Sequence, residues 1–179
     1  MLETKRLQIR LLKQSDIDDM FEYVGDPDVM KYENDQYMNY DKLKQLIDYM
    51  IEHKSMFVVL EKRKSKVIGQ IYLGLTNPTF NNEYSLGYIF NPLYQGKGYC
   101  TEASKAIVDY GFEILKANRI KAACNPVNIP SWRVMEKIGM KKEGFFEKKV
   151  HFRDDEQGNP IYWDEYVYGM NILDWKKNR

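Results

Sequence analysis

YQGKGYCTEA, residues 94–103, follows the extended-looking run EYSLGYIF at 83–90 and opens straight into a helical pattern. Gly96 and Gly98 lack a Cβ, so the chain here reaches the open dihedrals that turn several N–H groups toward one point. A helix start leaves its first four N–H groups unpaired and carries about half a positive elementary charge, so an anion placed there is held by dipole and hydrogen bonds together. Lys97 adds a whole charge. The stretch therefore reads as a phosphate-holding turn between a strand and a helix, with a plain glycine turn that binds nothing as the alternative.

The same residues argue against two nucleotide-binding motifs. No G-x-x-x-x-G-K-[ST] spacing occurs, and in G-x-G-x-x-G the third glycine falls on Thr101. Several strand-like runs also precede the turn, whereas a dinucleotide fingerprint belongs near the start of a parallel βαβ unit.

A chain of 179 residues is long enough to bury a sizeable core and is most simply one domain, 1–179. Lys and Arg number 27 against 26 acids, a formal net charge of +1, which argues against a general nucleic-acid binder. The only cysteines, Cys100 and Cys124, form no C-x-x-C, and no signal-like apolar stretch follows the start. A reduced, cytoplasmic protein is expected. Apolar runs fall far below membrane-spanning length, so no membrane partner is expected; a homodimer is compatible with the sequence.

Outward from the turn, two periodicities alternate. Residues 6–12 place Leu7, Ile9 and Leu11 on one strand face. Ser15 is positioned to cap a helix to about 24, with Ile17, Met20, Phe21 and Val24 on its buried stripe, before a loop at Asp26-Pro27-Asp28. A second helix spans about 41–53 through Leu43, Leu46, Ile47, Met50 and Ile51. Strands at about 56–61, 67–75 and 83–90 suggest an antiparallel meander. A third helix, about 100–116, is followed by a short strand at 119–124 and a fourth helix at about 130–138, which stops at Gly139. Strands at about 140–152 and 161–172 close the chain around Gln157-Gly158-Asn159-Pro160, giving the order β-α-α-β-β-β-α-β-α-β-β.

That order, with the glycine turn between the fourth strand and the third helix, resembles the GNAT superfamily of acyl-CoA-dependent N-acyltransferases over nearly the whole chain. RLQIRLL, VIGQIYL, SLGYIFNPLYQGKGYCTEA, NPVNIPSWRVMEKIGMKKEG and WDEYVYGM resemble its RimJ/RimL branch, named for acetylation of ribosomal-protein amino termini. The resemblance implies an α/β (α+β) fold with a mixed, mostly antiparallel sheet of about seven strands, splayed between the fourth and fifth and flanked by about four helices. It implies acetyl-CoA as cosubstrate, with its pantetheine amides along Tyr88, Ile89 and Phe90 and its pyrophosphate on the N–H groups of Gln95, Gly96, Lys97, Gly98, Tyr99, Cys100 and Thr101. The family pattern Q/R-x-x-G-x-G/A wants Gln or Arg where Leu93 stands, leaving Gln95 and Lys97 to supply polar contacts.

Downstream, Asn128 and Ser131 fall where the family places a pantetheine-contacting Asn and a small residue beside the thioester. Both are also ordinary residues for a turn and a first helical turn. Seven residues after that Asn, many members carry a Tyr that protonates the thiolate; here Met135 stands there, so Ser131, or water, takes the sulfur. The chemistry implied is direct attack by a neutral primary amine, of a peptide N-terminus or a small molecule, in a ternary complex, and needs no metal. A non-catalytic acyl-CoA-binding or interaction domain is the competing class.

Glu83 lies near the position of a family catalytic glutamate and is equally readable as a solvated strand-end carboxylate. Tyr32 and Glu33 follow the first helix where the family lines its acceptor side; Asp164, Glu165 and His151 are placed to reach the same cleft or to fill ordinary strand positions. His53 ends a helix and suits its dipole. Two separated His and two Cys give no metal site. Cys100, in a first helical turn, is either a thiol of lowered pKa or a small buried residue. Asp16, Asp18, Asp19, Glu22, Asp26, Asp28, Glu33 and Asp35 either attract a cationic amine or form a solvated face, and Tyr23, Tyr32, Tyr37 and Tyr40 either wall a groove or simply pack.

Overall fold

The structure, a computed structural model, describes residues 1–33, 38–76 and 79–177; Asp35 and Tyr37 lie outside them. Its described strands form one eight-stranded sheet in the order β1-β2-β3-β4-β5-β6-β8-β7. These are β1 (Leu2–Glu3), β2 (Leu7–Leu11), β3 (Met56–Glu61), β4 (Lys66–Leu75), β5 (Glu83–Phe90), β6 (Arg119–Cys124), β7 (Lys141–Asp154) and β8 (Pro160–Asn171). The extra strand beyond the expected seven is β1, two residues pairing Leu2 with Ile9, too short to show a period. The strand read as fourth is thus β5.

The central run MFVVLE of β3 is apolar at successive positions because both of its faces are covered. Phe57 and Val59 join the cluster under α4 (Tyr99–Glu113), α5 (Ile129–Lys137) and α6 (Ile172–Lys177). Met56, Val58 and Leu60 join the opposite cluster under α1 (Ile17–Val24), α2 (Pro27–Met30) and α3 (Tyr40–His53). Leu7 and Ile9 of β2 are buried as the alternation requires, whereas Leu11 is 40% exposed at the strand end.

Three local readings change. Ser15 does not cap α1: a 3-10 turn over Gln14–Asp16 precedes that helix, with the Asp16 carboxylate accepting from the Lys13 N–H at 2.9 Å. Asp26, read as loop, caps the one-turn helix α2 through the Asp28 N–H at 2.9 Å. The last strand stops at Asn171, whose side-chain oxygen accepts from the N–H groups of Leu173 and Asp174 at 2.9 Å each and so starts α6. Gly139 has φ 90 and its N–H bonds Glu136 O at 3.0 Å just beyond α5, as expected of a helix stop.

What positions the site is one junction in the sheet. β5 and β6 run parallel and pair only through Glu83–Arg119, Tyr84–Ile120 and Ser85–Lys121. Beyond Ser85, β5 continues to Phe90 bonded only to β4, while β6 continues to Cys124 bonded to β8. The two strands part, and the expected splay opens there.

Candidate active site

A cleft of about 740 Å³ extends from this opening. Tyr88, Ile89 and Phe90 form one wall; Gln95, Gly96, Gly98, Tyr99, Cys100 and Thr101 form its end; Asn128, Ser131, Arg133 and Lys137 form another wall; and Asp26, Asp28, Lys31, Tyr32 and Glu33 close the remaining side.

The end of the cleft is built by chain stiffness followed by chain freedom. Asn91 accepts from the Leu93 N–H at 3.0 Å and starts a 3-10 turn over Pro92–Tyr94. Gly96 and Gly98 then take φ 71 and φ 77, and Gly98 stands immediately before the first residue of α4. The first α4 N–H groups have no carbonyl within the helix to bond, and they belong to residues that line the cleft. The polar side chains of this loop are occupied elsewhere. Gln95 Nε2 donates to Phe90 O at 2.8 Å, and Lys97 Nζ donates to Leu93 O at 2.8 Å, placing Lys97 outside the cleft lining. An anion at this end meets backbone rather than a lysine.

At the splay, Tyr88 and Ser131 meet across 43 residues of sequence: the phenol donates to the Ser131 carbonyl at 2.6 Å, and the Ser131 hydroxyl lies 3.4 Å from the phenol oxygen. Burial is the main reason the Tyr88 phenol is raised well above its ordinary pKa, so it stays protonated. Asn128 precedes α5 without using its side chain as a cap. Met135 is 2% exposed within the main core and cannot serve the cleft. The same physics keeps the two thiols of this region protonated. Burial raises Cys100 to about 12 and Cys124 to about 11, in each case partly offset by a serine hydroxyl, Ser104 and Ser131 respectively. The lowered Cys100 pKa considered from the helix start therefore gives way to desolvation.

The carboxylates separate into two groups. Glu83 is not in the cleft lining: Arg119 Nε donates to it at 2.9 Å and Lys121 Nζ lies at 2.7 Å. Burial alone would raise its pKa, but Lys121 and then Arg119 outweigh burial and hold the carboxyl below the ordinary range. A base so neutralised is weak. Asp164 accepts from the Lys148 N–H at 2.8 Å, where β7 bulges, and Glu165 pairs with Lys149 at 2.6 Å. His151 is exposed, 2.8 Å from Asp154, and His53 bonds Tyr49 O at 2.8 Å. Neither histidine nor Asp164 lines the cleft.

Much of the acidic run is likewise structural: Asp16 binds Arg10 at 2.7 Å, Asp18 accepts from Tyr40 at 2.8 Å, and Glu22 pairs with Lys66 at 2.6 Å. Tyr23 is buried against Gln70 at 3.1 Å. Asp26, Asp28 and Glu33 remain on the cleft, with Tyr32 braced edge-on against Trp163 at 6.3 Å between ring centroids. Glu33 is raised by burial, the opposite of Glu83. Among the described residues no cluster of three or more His, Cys, Asp or Glu is placed to hold a metal ion. No described helix is long and apolar enough to cross a membrane.

A mixed sheet parted beside a backbone-lined helix start is the architecture of an acetyltransferase, and the chain belongs to the acetyltransferase (GNAT) domain family, which matches residues 6–141. It is 38% identical over 179 residues to the uncharacterized N-acetyltransferase YnaD of Bacillus subtilis (strain 168), covering 97% of this chain and 98% of that protein. The crystal structure of a GNAT-family acetyltransferase from Bacillus anthracis superposes with a TM-score of 0.85 at 36% identity, over 94% of this chain and 96% of that one. The fold is also that of the spermidine N-acetyltransferase from Vibrio cholerae in complex with CoA and spermine, with a TM-score of 0.81 at 21% identity over 97% and 99% of the two chains. The protein is thus an N-acetyltransferase of the GNAT family.

Proposed function

We propose that the chain transfers the acetyl group of acetyl-CoA directly to a primary amine in a ternary complex, and that acceptors carrying further positive charge are favoured. The parting of β5 and β6 after Ser85–Lys121, opening onto the Gly96–Thr101 loop, carries this reading. The diphosphate rests on the loop N–H groups, and the pantetheine arm follows Tyr88–Phe90 past Asn128. The thioester then reaches Ser131, whose hydroxyl bonds the departing sulfur while Tyr88 holds the turn that carries it.

On the acceptor side, Asp26, Asp28 and Glu33 outnumber Lys31 and leave a net negative potential, suited to a polyamine or to a peptide amino terminus with basic neighbours. Glu33 takes the role that Glu83 cannot: a carboxyl raised by burial is the better base for an ammonium that must lose its proton before attack. The sequence pieces quoted above support a place in the RimJ/RimL-like branch, and the two unbridged cysteines suit a reducing cytoplasm.

Thiol release on mixing acetyl-CoA with peptides, polyamines and aminoglycosides tests the activity. Release is expected to be fastest with multiply charged amines, and silence across all three classes overturns the proposal. As a base, Glu33 must be ionised, so kcat/KM rises with pH through its raised value. Glu33→Gln should remove that acid limb, and an unchanged pH profile would rule Glu33 out.

A further inference from the structure

Glu102 stands in the first turn of α4, beside the N–H groups assigned above to the diphosphate. A bare carboxylate there would repel an incoming anion, yet its charge is met from behind. Thr4 Oγ1 donates to Oε1 at 2.6 Å, the Arg6 backbone N–H to Oε1 at 3.0 Å, and Arg6 Nε to Oε2 at 2.6 Å. Burial would raise the Glu102 pKa; Thr4 and then Arg6 outweigh it and hold the carboxyl low.

The same guanidinium reaches further along the loop. Its Nη1 donates to the Lys97 carbonyl at 2.9 Å, and its Cζ lies 4.4 Å from the centre of the Tyr99 ring. In a planar trans peptide the C=O and the following N–H point in opposite directions. Holding the Lys97 carbonyl toward Arg6 therefore turns the Gly98 N–H the other way, and Gly98 lines the cleft whereas Arg6 does not.

We propose that Arg6 is a positioning residue for acetyl-CoA: it neutralises Glu102 at the helix start and fixes the Lys97–Gly98 peptide so that its N–H faces the coenzyme diphosphate. The inference rests on the reading of this loop as the diphosphate site. Arg6 touches no substrate atom and acts through the loop.

Steady-state kinetics with acetyl-CoA and with acetylpantetheine, which lacks the diphosphate, separate this role from a general brace. Arg6→Met should raise KM for acetyl-CoA by about tenfold, the scale of one charge-assisted hydrogen bond, with a much smaller change in kcat. KM for acetylpantetheine should stay put. Adding Glu102→Gln to Arg6→Met removes the uncompensated charge and should recover part of the loss. Arg6→Lys, which keeps the charge but not the fork, should fall between and decides the matter if Arg6→Met does not fold. Equal KM increases for both thioesters, or no recovery in the double variant, would overturn the role of Arg6. Wild-type protein that gains nothing from the diphosphate would instead sink the loop assignment itself, and Arg6's role with it.

Discussion

Gly98→Ala, set beside Gly158→Ala, separates backbone strain from loss of binding. Both glycines are left-handed, φ 77 and φ 83, and neither has a neighbour closer than ordinary contact: a Cβ on Gly98 would meet Arg6 Nη2 at 3.5 Å, and one on Gly158 would meet nothing within 4 Å. The steric cost is therefore the dihedral alone, about 1–2 kcal/mol for an L-residue. For a chain of this size that lowers Tm by roughly 2–8 °C, similarly in both variants. Only Gly98 sits at the cleft; Gly158 lies in the turn between β7 and β8. If the Gly98→Ala variant relieves its strain by rotating the peptide, one donor to the diphosphate is lost, about 1.5–3 kcal/mol, or on the order of ten- to a hundredfold in affinity. Calorimetric titration with CoA and thermal melts of both variants give the two quantities. Matched melting losses with weakened CoA binding in Gly98→Ala alone are expected. Equal CoA affinities in the two variants would refute the claim that substitution at Gly98 costs the diphosphate a backbone donor.

Tyr88→Phe should cost about 1 kcal/mol in stability from the lost hydrogen bond, and should lower kcat non-additively with Ser131→Ala in a double-mutant cycle; additive losses would mean the two hydroxyls act independently. Glu83 and Glu102 are both held below the ordinary carboxylate range in the folded chain, so their stabilisation is present above the unfolded value and is lost as pH falls through the lower folded values. Denaturant titrations between about pH 6 and 3 should show stability falling toward acid, with Glu83→Gln flattening the slope; an unaltered slope would contradict the pairing with Lys121 and Arg119.

The elements legible in the sequence were those long enough to show a period: β2 to β8, α1, α3, α4 and α5 all stand within a few residues of their expected places. β1, with two residues, and α2, with four, offer no period, and α6 depended on an Asn171 cap that a continuing strand pattern concealed. The glycine loop was readable because its chemistry is local. Glu83 was not, since its neutralisation comes from Arg119 and Lys121, more than thirty residues away. Nor were the meeting of Tyr88 with Ser131 and of Arg6 with Glu102, separations of 43 and 96 residues that only the folded sheet brings together.

The register of β7 against β8 slips three times, near Lys142, Phe146 and His151, and Lys148 takes φ 47 at the middle slip with its N–H held by Asp164. A neighbouring chain seeking to extend the sheet from this border meets a ribbon whose donors and acceptors fall out of step every few residues. Phe145, Phe146 and Phe152 can thus stand exposed on the longest outer strand without offering a straight template for fibril growth.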